Sequence, residues 1–145
     1  MISSQKNSTV IEVLSGILRL LCRGLPTYLL EVKPWSQPEH ERLRKALAQL
    51  VEDRRLYAGR VAQAIMDRGG FPDAGPFPLR FTGLNDVSLE YLVRVLIDSL
   101  HVDMEILQTS SARLEETPRL HDLSEEILGN TKGHAEILEK VKSAE

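Results

Sequence analysis

The sequence predicts an all-α fold, with four amphipathic helices in an antiparallel bundle and a long crossover between the second and third. Three observations predict it. Apolar residues recur at steps of three or four along most of the chain. A glycine- and proline-rich stretch interrupts that period once, near the middle. No convincing alternation of apolar and polar residues marks a strand. With 145 residues and 42% hydrophobic composition, the four helices are expected to share one core in a single domain over residues 9–142.

Residues 9–31 read as the first helix, with Val10, Leu14, Ile17, Leu21, Leu25 and Tyr28 on one stripe that Leu18 and Leu29 widen. Ser8 or Thr9 suits the amino-terminal cap, which leaves residues 1–8 as a flexible terminus. Pro26 removes an amide and crowds the preceding turn, so a kink or short break is expected near Arg23-Gly24. Pro34 and Pro38 then confine a short connector holding Trp35.

The second helix is expected to be the longest, over residues 39–68. Leu43, Leu47, Leu50, Tyr57, Val61 and Ile65 keep the period, and the helix would reach about 45 Å. Arg54 interrupts this stripe. It is either paired with Glu or Asp inside the bundle or extended to its edge. Gly69-Gly70 and Pro72 end the helix. Residues 69–85 form the crossover, which Phe71, Phe77 and Phe81 are placed to pin against the helices.

The third helix is expected over residues 86–112, capped near Asn85 or Asp86 and striped by Leu89, Val93, Leu96, Leu100 and Leu107. The fourth covers residues 119–142, with Leu120, Leu123, Ile127, Leu138 and Val141 near one face. Thr117-Pro118 marks its start.

Charge and motifs narrow the function. The formal net charge is -3, so no global basic field draws nucleic acid, although the second helix is rich in arginine. Cys22 stands alone among leucines and reads as a small packed side chain, with no intrachain disulfide. No apolar stretch looks long enough to cross a membrane, and the polar start lacks a signal core, so a cytoplasmic protein is expected. Phosphate-loop, hydrolase-elbow and metal-hydrolase spacings are missing from the sequence.

Two short runs carry a resemblance. They are Asp67-Arg68-Gly69-Gly70-Phe71-Pro72 and the stretch Glu126-Ile127-Leu128-Gly129-Asn130-Thr131-Lys132-Gly133-His134. In helix order over residues 10–140, and at these runs, the chain resembles the ferritin-like superfamily of ferritins and bacterioferritins. That resemblance implies a di-iron carboxylate centre, built from one carboxylate on each of two helices and a Glu-x-x-His pair on each of the others. Here the pattern departs. Thr131 stands where the family has the glutamate three residues before His134. In the second helix the expected pair falls near Arg54–Leu56 and Tyr57–Gly59, where there is no histidine.

The ligands that a divergent iron or manganese centre would draw on are Glu31, Glu52 or Asp53, Asp98 and His134. Asp103 and Glu105 are alternatives on other faces of the third helix. His40, His101 and His121 complete no motif, although His101 and Glu105 are spaced to pair locally. The expectation is therefore a non-catalytic ferritin-like protein with a structural, partner-binding or stress-associated role, forming a homo-oligomer such as a dimer. The alternative is a metal-dependent oxidase or iron-storage protein.

Overall fold

The computed structural model describes residues 4–32, 38–84 and 88–143; the expectations for Trp35, Asn85 and Asp86 fall outside them. Five helices follow in order: α1 (Ser4–Arg23), α2 (Leu25–Val32), α3 (Glu41–Asp67), α4 (Leu89–Arg113) and α5 (Pro118–Ser143). Short 3-10 turns cover Pro38–His40 and Leu79–Leu84. The first predicted helix is thus split at Gly24, one residue ahead of the Leu25-Pro26 pair, as the proline demanded. Together α1 and α2 make one column of a four-column bundle.

The direction of each column follows from the core. Leu25 and Leu29 pack in one cluster with Leu43 and Leu47 of α3, Leu92 and Leu96 of α4, and Leu138 of α5. At the opposite end Leu14 and Ile17 meet Val61 and Ile65, Leu107 and Leu114, and Ile127. Hence α1–α2 and α5 run one way while α3 and α4 run the other. Two parallel neighbours cannot be joined by a tight turn, so the chain between α3 and α4 has to travel the length of the bundle. Each fully buried leucine in these clusters contributes about 1.5–3 kcal/mol.

Local chemistry sets the ends. At the end of α3, Gly69 adopts a positive φ, the left-handed conformation that glycine takes without strain. The Gly70 amide donates to the Ile65 carbonyl at 2.9 Å. A Cβ on Gly70 would lie 2.8 Å from Ile65 Cγ2 and 3.1 Å from Ile11 Cγ2. Glycine is therefore required for the close approach of α1. The crossover is fastened by Arg23, whose Nε donates to the Gly75 carbonyl at 2.6 Å. The same guanidinium lies 5.1 Å from the Phe77 ring centre, close enough for a cation–π contact. Tyr28 meets Phe77 at 5.5 Å between ring centres. It meets Phe81 at 5.5 Å as well, so one tyrosine holds both rings of the crossover. Phe71 is 86% exposed and pins nothing, so two of the three phenylalanines serve as expected.

Three boundaries differ from expectation. Ser4–Ser8 are helical rather than flexible, and Ser8 and Thr9 lie inside α1 rather than at its cap. The extension is held by reciprocal bonds with the far end of α3. Asn7 Nδ2 donates to the Arg68 carbonyl at 3.1 Å, and Arg68 Nη1 donates to Asn7 Oδ1 at 3.0 Å. The cap of α4 is Ser88, whose Oγ accepts from the Tyr91 amide at 3.2 Å, the usual service of an N-cap hydroxyl. Finally, the segment Lys6–Glu31 is long and apolar enough to cross a membrane, contrary to expectation. Within the bundle 61% of its most apolar window is buried, as in a core helix.

Candidate functional site

The break at Gly24 organises the middle of the bundle. Pro26 has no amide hydrogen, which deprives the Cys22 carbonyl of its helical partner. Side chains take up the carbonyls at the break. Arg23 Nη1 donates to Cys22 O at 3.1 Å, Thr27 Oγ1 to Leu21 O at 3.4 Å, and Arg54 Nη1 to Leu20 O at 3.2 Å. A Cβ on Gly24 would fall 2.9 Å from Arg54 Nη1 and 2.6 Å from the Leu20 oxygen. Glycine therefore admits the guanidinium.

Arg54 is 1% exposed, and its Nη2 donates to Asp103 Oδ2 on α4 at 2.9 Å. Of the two readings the sequence left open for Arg54, the internal pair is the one realised. The layer separates the two apolar clusters and spans α1, α3 and α4. Burial pushes the Asp103 carboxyl up from the ordinary value of 3.8, and the neighbouring guanidinium only partly opposes this. Arg54 Nε is buried without a hydrogen-bond partner among the described residues.

A second polar cluster joins α3 to α5. His134 Nε2 lies 2.7 Å from Asp53 Oδ2, which also accepts from Asn130 Nδ2 at 2.9 Å. A carboxylate only accepts, so Nε2 carries the hydrogen. Gln49 Nε2 donates to Asp53 Oδ1 at 3.0 Å. Burial raises the Asp53 carboxyl, but the bonds from Asn130, His134 and Gln49 outweigh it and hold the group below its ordinary value of 3.8.

The five candidate ligands divide accordingly. Asp53 and His134 are brought together, whereas Glu31, Glu52 and Asp98 are exposed on α2, α3 and α4. Asp103, kept as an alternative, takes the inward position that Asp98 was expected to fill, because it is the one that meets Arg54. Thr131 is buried on the inner face of α5, but its hydroxyl donates to its own helix at Ile127 O, 2.9 Å away, a local bond common for threonine within a helix. Glu126 is exposed and paired with Arg60 at 2.8 Å. No group of three or more His, Cys, Asp or Glu side chains that could hold a metal occurs among the described residues. Two ligands fall short of the set that a di-iron pair needs. The Asp53 oxygen facing His134 is, besides, already occupied by two donors.

At the helix break the surface opens into a groove of about 750 Å³ between α1–α2 and α4, covered at one end by the Leu79–Leu84 turn. Arg19, Arg23, Arg80, Asp98, Ser99 and Asp103 supply its polar lining. Nothing in the periodicity marks this groove, because its residues come from three separate segments. Cys22 is half-buried, and burial raises its thiol above the ordinary value, outweighing Arg23. That is the environment of a packed side chain rather than a nucleophile.

The fold and its two polar layers define a helical bundle with one long crossover and a buried ionic centre. Comparison of the chain with known protein families, curated proteins and solved structures finds no match.

Proposed function

We propose that this chain is a divergent ferritin-like bundle that acts by binding rather than by catalysis. The ferritin-like reading is supported by the column directions and the single crossover spanning the bundle, which is the arrangement of that superfamily. The observation that carries the non-catalytic reading is Arg54. Its fixed positive charge lies between the two apolar clusters, close to where the resemblance called for a ligand pair, and repels a cation there. Among the sequence-derived candidates only Asp53 and His134 meet, and they satisfy each other.

Binding is placed in the groove beside the helix break, where apolar side chains and guanidinium groups are exposed together. A homodimer using the exposed Val102 and Ile106 of α4 is compatible with the same face. The test is the metal content of tag-free protein, followed by titration with ferrous iron and manganese. The reading predicts no retained metal and no saturable uptake. About two tightly bound metals per chain would overturn it and restore the oxidase alternative.

A further inference from the structure

The groove at the α1–α2 break differs in charge from two concavities farther along the α1–α4 side. The charged lining of one is Glu12, Arg19, Glu105 and Arg113, and that of the other is Lys6, Arg113, Glu115 and Glu116. Both sets balance. In the larger groove Arg19, Arg23 and Arg80 face Asp98 and Asp103, and Asp103 is already paired with Arg54 behind it. Three guanidinium groups thus stand against one free carboxylate, within a chain whose formal charge is -3.

The cations are differently prepared. Arg23 is immobilised by the Gly75 and Cys22 carbonyls and by the Phe77 ring, which lowers the ordering cost of a ligand contact. Arg80 lies with its guanidinium carbon 5.1 Å from the Phe81 ring centre. Arg19 makes no hydrogen bond or ion pair among the described residues. Beside them runs an apolar wall from Leu25 and Val95 to Val102 and Ile106, the last two being 54% and 44% exposed. A volume of about 750 Å³ lies within the range that holds one small organic molecule.

We propose that this groove binds a small amphipathic anion, its apolar body along Val95, Val102 and Ile106 and its anionic head at Arg19 and Arg80. The inference rests on the binding-protein reading. The two fail separately, because that reading turns on metal uptake and this one on the groove.

The experiment is isothermal titration calorimetry of the full chain with dodecanoate below its micellar concentration, in parallel with dodecanol and dodecyltrimethylammonium. The expected result is saturable binding of one dodecanoate per chain, weaker binding of the alcohol and none of the cation. Arg19→Ala combined with Arg80→Ala should weaken dodecanoate about tenfold or more, since each tenfold is one charged contact's worth of affinity. Both side chains are exposed, so the fold is retained, and circular dichroism verifies it. Val102→Trp, which fills the wall, should abolish binding in a chain of unchanged helicity. Equal affinity for the three probes, indifference to the arginine variants, or no binding at all would overturn the proposal. So would a dimer in sedimentation equilibrium that Val102→Trp dissociates, because a second copy would then be the occupant of the groove.

Discussion

Arg54 and Gly24 are matched across the bundle: the Arg54 Nη1 lies 2.9 Å from the point where a Cβ on Gly24 would stand. The helix break and the buried arginine are therefore one feature. The break presents the Leu20 carbonyl, the missing side chain lets the guanidinium reach it, and the guanidinium satisfies it.

Gly24→Ala should destabilise the protein by about 2–3 kcal/mol, the worth of a buried bond from a charged donor, measured by urea unfolding. Gly59→Ala is the control. It lies in α3 with open space around the added methyl. That substitution should stabilise by about 0.4–1 kcal/mol. Equal effects from the two would show that helix propensity alone matters at Gly24.

The helices and the break were legible because they rest on local causes: the apolar period, Pro26, Gly69-Gly70 and Pro118. Sites that depend on several columns were not. Asp98 and Asp103 both sit on α4, and only the position of Arg54 on α3 decides which is buried. The start of α1 at Ser4 likewise depends on Asn7 meeting Arg68, sixty-one residues away. In the pair Asp53–His134 each residue was recognised as a candidate, but their bond replaces metal ligation with mutual satisfaction. Gln49, four residues before Asp53, was a readable partner that was overlooked.

Asp53 sets part of the acid limb of stability. Its carboxyl is held below the ordinary value of 3.8, so its contribution is full above that pH and is lost as the pH falls through the lower native value. Asp53→Asn should flatten the decline of unfolding free energy below about pH 4. Asp103 has the opposite sign. Its native value is raised, so its contribution is greatest below 3.8 and falls as the pH climbs from there to the native value. Unfolding midpoints across pH 2–6 for the wild type and Asp53→Asn check the first claim, and an unchanged acid limb would refute it.

His134→Ala should cost about 1–3 kcal/mol, because it leaves the half-buried Asp53 without one of its donors. If His134 instead served a metal, the same variant would change metal uptake more than stability, which titration and urea unfolding distinguish.

The crossover's anchor is Phe81, 7% exposed against Tyr28. Phe81→Ala should cost about 3–5 kcal/mol, whereas Phe71→Ser should change stability by less than about 0.5 kcal/mol. Thermal unfolding of the two variants separates the pinned end of the loop from its exposed end.

Everything above turns on the buried ion pair in the middle of the bundle. A double-mutant cycle on Arg54 and Asp103, read by urea unfolding, is the decisive experiment. Asp103→Ala should cost about 3–5 kcal/mol by leaving a buried cation unpaired, and Arg54→Leu should cost a similar amount. The combined Arg54→Leu/Asp103→Leu variant should lose less than either single change, with the Leu20 carbonyl accounting for about 1–3 kcal/mol of what remains. A combined loss equal to the sum of the single losses would rule out the pairing and everything derived from it.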